Sequence, residues 1–223
     1  MTQQTLVIID YGSGNLRSAA KAFEHVIAEQ NLDFIVKITS DAADIAAADR
    51  IVLPGQGAFG DCMDGLKALD GMIEALEEAV LTKKTPFLGI CVGMQLLATA
   101  GLEHGEHAGL GWIPGKVVPM TPNDPTLKIP HMGWNTVEYT KQAVEITPFL
   151  KKKENNAPYF YFVHSFMFES EDKENVLGTT NYDGYVTSIV GKANILGVQF
   201  HPEKSQQDGL ALLEGFLRWT PNI

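Results

Sequence analysis

The sequence predicts an α/β protein with a mostly parallel central sheet, helices on both faces, and antiparallel additions in its second half. Two observations carry this. In the first half of the 223-residue chain, short β-branched runs alternate with segments whose apolar residues recur every three or four positions, the pattern of βαβ units. After about Gly109, strand-like runs follow one another across Gly, Pro, Asn and Asp turns with little helix between them.

Taken in order, Thr5–Ile9 is a first strand ending at the turn Asp10-Tyr11-Gly12-Ser13-Gly14. From Asn15, the residues Leu16, Ala19, Ala20, Phe23, Val26 and Ile27 make one face of a helix. Phe34–Ile38 and Ile51–Leu53 read as strands with an alanine-rich helix between them. Leu66, Leu69, Ile73, Leu76 and Val80 keep helical spacing before the apolar strand Pro86–Ile90. Such continuous apolar strands suit a parallel sheet covered on both faces. The second half offers strands at Lys116–Met120, Gly133–Tyr139, Tyr159–Val163, Val176–Thr180, Val186–Val190 and Ile195–Phe200. They are expected to extend one sheet rather than build a second core. Ser205 offers an N-cap to a last helix carrying Leu210, Leu213, Phe216 and Leu217.

Composition narrows the class. There are 17 basic against 27 acidic side chains, a net charge of −10, which argues against nucleic acid as a partner. No apolar run approaches the ~20 residues that cross a bilayer, and the start lacks the basic region of a signal peptide. Two cysteines, Cys62 and Cys91, give neither a disulfide framework nor a metal quartet. The expectation is a cytoplasmic protein of one domain, residues 1–223, needing no metal or other cofactor and no membrane. Lys151-Lys152-Lys153 reads as a solvated loop.

Gly89-Ile90-Cys91-Val92-Gly93 sits where a strand gives way to an apolar helix, the cysteine form of the nucleophile elbow. A sharp strand-to-helix turn strains the nucleophile's backbone, and flanking glycines let neighbouring backbone approach. The helix N-terminus favours thiolate over thiol, and the Val92 amide points at an oxyanion forming on a bound carbonyl. Among six histidines, His201 in Gly197-Val198-Gln199-Phe200-His201-Pro202-Glu203 closes an apolar strand, where parallel sheets gather ligands. Glu203 lies two residues on, so in extended chain it points the same way and can hold one imidazole nitrogen. Cys62 reads as a packing residue. His104-Gly105-Glu106-His107 lacks metal-site spacing, and Gly12-Ser13-Gly14 lacks the third glycine of a dinucleotide loop. His131, His164 and Trp134 lie near strand ends and are left open between a site and the core.

These segments resemble the class I (triad) glutamine amidotransferases: Gly-Ile-Cys91-Val-Gly-Met-Gln together with Gly-Val-Gln-Phe-His201-Pro-Glu203-Lys-Ser. Asp10-Tyr11-Gly12-Ser13-Gly14-Asn15-Leu16, Pro54-Gly55-Gln56-Gly57-Ala58-Phe59 and Pro130-His131-Met132-Gly133-Trp134-Asn135 narrow the likeness to glutaminase subunits of imidazole glycerol phosphate synthase. Phe162-Val163-His164-Ser165 and Leu177-Gly178-Thr179-Thr180 fit as well. The resemblance implies a flavodoxin-like, class I glutamine amidotransferase fold and glutamine as substrate. It makes Cys91 the nucleophile on the side-chain amide, His201 the proton carrier and Glu203 its orienting carboxylate. Gln95 and Glu103 would hold the amino acid moiety, with backbone around Ser165 and Phe166 at its carboxylate. The ammonia would pass to a (β/α)₈-barrel cyclase subunit, faced by Asn15, Trp134 and Lys204. That partner would form imidazole glycerol phosphate and aminoimidazole carboxamide ribonucleotide, in histidine biosynthesis.

One departure bears on activity. The resemblance implies that the second oxyanion amide comes from the Gly55–Gln56 peptide, and Gln56 stands where many class members have glycine and these subunits usually have valine. A non-glycine residue resists a left-handed turn, so the isolated subunit is expected to be nearly inactive until its partner shifts that peptide. Two other readings compete. One is a glutaminase subunit for pyridoxal phosphate or anthranilate synthesis; the other is a cysteine peptidase on the same fold.

Overall fold

The computed structural model describes residues 3–150 and 157–221; Lys151-Lys152-Lys153 lies outside them. The first half builds β1 (Gln4–Ile9), α1 (Leu16–Glu29), β2 (Phe34–Thr39), α2 (Ala42–Ala46) and β3 (Arg50–Gly55). It continues through α3 (Phe59–Lys67), α4 (Met72–Leu76), a π-helical turn (Glu77–Thr82), β4 (Phe87–Cys91) and the single turn α5 (Val92–Gln95). The second half adds β5 (Ala100–Gly101), β6 (His107–Ala108), β7 (Gly115–Pro119), β8 (His131–Thr136), β9 (Glu138–Tyr139) and α6 (Lys141–Ile146). There follow β10 (Tyr159–His164), β11 (Phe166–Ser170), β12 (Val176–Asn181), β13 (Tyr185–Lys192), β14 (Ile195–Val198) and α7 (Gln206–Arg218).

The main sheet has eight strands in the order β2-β1-β3-β4-β14-β13-β12-β9. From β2 to β14 the pairing is parallel, and from β14 outward it is antiparallel. Parallel strands buried on both faces need apolar side chains on both, and Leu6–Ile9, Ile51–Leu53 and Phe87–Leu88 are fully buried. Helix α1 packs beside α7, with Phe23 against Phe216. Arg50 closes the end of α7 by donating to the carbonyls of Phe216, Leu217 and Trp219, where the helix runs out of its own donors.

Three expectations need correction. The second-half strands do not all join one sheet: β10 and β8 form a two-stranded sheet, and β11, β7, β5 and β6 a four-stranded one. Pairing partners are chosen by long-range packing, which a strand's own sequence does not encode. The helix read through Leu66–Val80 is broken, because Gly71 takes a left-handed conformation (φ +66°) between α3 and α4. Ser205 stands at the N-cap of α7 without capping it. Its Oγ donates to the His201 carbonyl and accepts from the Tyr161 N–H instead. Strand β11 and helix α6 were not read from the sequence.

Candidate active site

Parallel strands β3, β4 and β14 end side by side, with Gly55 opposite Cys91 and Val198 opposite Ile90. Cys91 leaves β4 at φ +55°, ψ −112°, a conformation that costs a non-glycine residue about 1–3 kcal/mol and survives only where the surroundings enforce it. The enforcement is visible. A Cβ on Gly93 would sit 1.8 Å from the Leu53 carbonyl oxygen, and one on Gly89 2.4 Å from the Gly93 carbonyl oxygen. The chain must therefore turn tightly, and Cys91 is carried to the mouth of the sheet. The helix beyond it is only the four residues of α5, shorter than the apolar run suggested, because the chain turns toward β5 at Leu96.

His201 follows β14, pinned by its own N–H to the Tyr161 carbonyl (2.9 Å). Both His201 and Cys91 line the same cavity, and the thiol acts on the imidazole's charge. The chain does not run on extended as the sequence suggested. A 3₁₀ turn over Pro202–Lys204 folds Glu203 back, and its Oε1 lies 2.9 Å from His201 Nδ1. Both side chains are buried, and Glu203 Oε2 has no partner among the described residues. Burial alone would lower the His201 pKa; the hydrogen bonds and charges of Cys91 and Glu203 outweigh it and push it up to about 9.

A cavity of about 260 Å³ opens over Cys91, lined among others by Gln56, Val92, Gln95, Glu103, Ser165, Phe166 and His201. That is just under the range of roughly 300–1,000 Å³ for drug-sized ligands, and suits an amino acid. Gln95 donates from Nε2 to the Phe166 carbonyl (3.3 Å) and to Gln199 Oε1 (3.0 Å). Glu103 accepts from the Phe59 N–H (2.8 Å), satisfying the start of α3, where Ala58 offers no capping side chain. Gly55 lies beneath, its Cβ position taken by Gly93 N, Tyr11 Oη and Val92 Cβ within 2.8 Å. The Gln56 N–H donates to Ser13 Oγ (3.2 Å), while the Ser13 hydroxyl also touches the Gln56 carbonyl. Left-handed backbone in this loop is taken by Gly57 (φ +107°), not by Gln56.

Of the remaining sequence candidates, His164 also lines the cavity, whereas His131, Trp134, Lys204 and Asn15 do not. Trp134 stacks on Tyr159 (5.5 Å) and stands edge-on to Tyr161, while Lys204 lies 5.9 Å over the Tyr161 ring, so these two share one aromatic face. Asn15 is the N-cap residue of α1. Two residues escaped the sequence reading. Gln199, fully buried, points its amide at Cys91 Sγ from 3.8 Å. Its signal was an amide inside an otherwise apolar strand. Ser13 was read only as part of a tight turn, and no local pattern pairs it with Gln56.

With this geometry in hand, comparison with known proteins is decisive. Residues 7–218 match the family model "Glutamine amidotransferase class-I". The chain belongs to the class I glutamine amidotransferases. It is 54% identical to "Imidazole glycerol phosphate synthase subunit HisH" of Agrobacterium fabrum, covering 97% of this chain and 99% of that protein. The like-named proteins of Zymomonas mobilis and Rhodospirillum rubrum are 52% and 48% identical at 97% coverage of this chain. Among solved structures, a glutamine amidotransferase matches at TM-score 0.67 with 16% identity, covering 95% of this chain and 96% of its own. One from Thermotoga maritima matches at TM-score 0.59 with 18% identity, covering 97% and 84%. At such identities these two speak for the fold of this class I amidotransferase alone.

Proposed function

We propose that this chain hydrolyses glutamine and delivers the ammonia to a (β/α)₈-barrel cyclase subunit, which forms imidazole glycerol phosphate and aminoimidazole carboxamide ribonucleotide in histidine biosynthesis. The observation that carries the chemistry is the strained Cys91 sharing an amino-acid-sized cavity with a His201 that Glu203 holds. The relatives named as synthase subunits supply the pathway.

In the first half-reaction, Cys91 Sγ attacks the side-chain amide carbon of glutamine. His201, protonated near neutral pH, gives its proton to the departing nitrogen, leaving a γ-glutamyl thioester. His201, now neutral, takes a proton from water, whose oxygen attacks the thioester and releases glutamate and the thiolate. Glu203 fixes the imidazole and stabilises its charged form, as in other nucleophile–base–acid arrangements. Gln95 and Glu103 hold the amino acid moiety, and backbone at Ser165 and Phe166 receives its carboxylate.

Two backbone amides would stabilise the oxyanion, those of Val92 and Gln56. The second is committed to Ser13 in this conformation, and loss of one such donor costs about 2.7–4 kcal/mol of transition-state stabilisation. Docking of the cyclase, through the Trp134 and Lys204 face and Asn15, turns the Gly55–Gln56 peptide toward Cys91. Idle hydrolysis is thereby suppressed until the ammonia has somewhere to go. Glutamate release measured with and without the cyclase and its nucleotide acceptor tests this reading. Release from the isolated chain is expected to be slower by about 10²-fold or more, the loss of one oxyanion donor. Equal rates would refute the coupling.

A further inference from the structure

Two buried histidines are left unused by the hydrolysis: His131 on β8 and His164 at the end of β10, paired across the two-stranded sheet. His131 Nδ1 and His164 Nε2 are 2.9 Å apart, and His164 Nδ1 is 2.9 Å from the Phe166 carbonyl oxygen. His131 Nε2 lies 3.4 Å from Asn135 Nδ2, and the ring is stacked between Phe162 and Tyr182.

The partners fix every proton. A carbonyl oxygen only accepts, so His164 Nδ1 carries the hydrogen. A neutral imidazole has one N–H, so His164 Nε2 is an acceptor and His131 Nδ1 must donate to it. His131 Nε2 is then an acceptor for the Asn135 amide. That amide is oriented independently, because its Oδ1 accepts the Thr136 N–H at 2.9 Å. The hydrogen bonds thus run in one direction, from Asn135 through both rings to Phe166. Protonating either ring would set two N–H groups head to head. Burial agrees: it pulls both histidines down to about 4, with His164 lowered further by His131 and His201 and partly restored by the Phe166 carbonyl.

We propose that His164, held by His131, is a positioning residue for glutamine: it occupies the Phe166 carbonyl and so keeps the Ser165–Phe166 backbone set to receive the substrate carboxylate. The inference rests on the assignment of that backbone to the carboxylate, given above. Its physical basis is electrostatic. A carbonyl with free lone pairs beside a carboxylate repels it, and Phe166 lines the cavity. His164 and Gln95 both donate to that oxygen, and the Met120 N–H takes the neighbouring Ser165 carbonyl (2.9 Å). A neutral imidazole does this without placing a second cation beside His201.

The test uses the complex with its cyclase partner and the variants His164→Phe, His164→Asn and His131→Phe. His164→Phe keeps a flat ring but donates nothing, and is expected to raise KM for glutamine about tenfold, the value of one hydrogen bond, with kcat changed less than about threefold. His164→Asn, whose amide can reach the Nδ1 position, is expected to restore most of the loss, and His131→Phe to give a smaller rise. Synthesis from ammonium salts stays unchanged throughout, which separates substrate positioning from damage to fold or docking. An unaltered KM in His164→Phe, or a loss that falls on kcat and is not rescued by asparagine, would overturn the proposal. If the wild-type complex released no glutamate from glutamine, the glutaminase reading itself would fall, and the role of His164 with it. Nitrogen-15 spectra of the wild-type histidines give a readout independent of any variant. Both rings are expected as neutral Nδ1–H tautomers, and an Nε2–H tautomer at His164 would refute the relay.

Discussion

The two walls of the active-site cavity are built by different physics. On one side, β3, β4 and β14 end in an apolar, doubly covered sheet, and the nucleophile is held by backbone strain and close glycine contacts. On the other side, β8, β10 and β11 belong to two small sheets, one antiparallel and one mixed, and position is held by buried polar side chains: His131, His164 and, from α5, Gln95. The first wall tolerates no added atom. The second is tied together by hydrogen bonds between buried side chains and backbone.

This contrast can be broken most severely at Gly93. Adding a single methyl in Gly93→Ala drives it into the Leu53 carbonyl, a backbone atom that cannot move aside. A stability loss of about 3 kcal/mol is expected by denaturant titration, the upper part of the overpacking range. A loss under about 0.5 kcal/mol, the level of an ordinary surface substitution, would mean that the elbow is not held by close contact.

Glu203→Gln probes the charge behind His201. Because Cys91 and Glu203 together raise the His201 pKa against burial, imidazolium is present below about 9 and lost above it. Removing that carboxylate is expected to move the alkaline limb of glutamate release to lower pH and to lower kcat by about 10²-fold. An unmoved limb would show that another group sets it.

On the opposite wall, Trp134→Ala removes the exposed ring that stacks on Tyr159. Binding to the cyclase is expected to weaken by roughly 2 kcal/mol, a typical value for a buried interface tryptophan. Glutamate release at saturating partner should be nearly unchanged. An unaltered affinity, measured calorimetrically, would move the docking face elsewhere.

The smallest effect expected is at the junction of the two walls. Ser13→Ala frees the Gln56 amide, and the partner-independent rate is expected to rise about 2- to 10-fold, the worth of one hydrogen bond. A fall in that rate would show that Ser13 supports the active conformation rather than the idle one.

How much of this was legible in the sequence differs between the same two walls. Strands β1, β3 and β4 and the elbow at Cys91 announce themselves locally, because doubly buried strands are continuous apolar runs and a nucleophile elbow needs its glycines close by in sequence. Glu203 is also within two residues of the histidine it serves, although the connecting turn was read as extended. The second half hides its arrangement. Which of β7, β8, β10 and β11 pair depends on contacts between distant segments, and β11 is absent from the strands the sequence predicts. Gln199 and Ser13 were missed for the same reason: their partners, Cys91 and Gln56, lie far away in the chain. Gly71 broke a regular apolar pattern that nothing in its spacing warned of.

The most direct test is Cys91→Ala in the assembled complex, with product formation followed separately from glutamine and from ammonium salts. Glutamine-dependent synthesis is expected to fall by on the order of 10⁴-fold, while ammonium-dependent synthesis stays within about twofold of wild type. Glutamine-dependent synthesis that survives the substitution would contradict the role of Cys91.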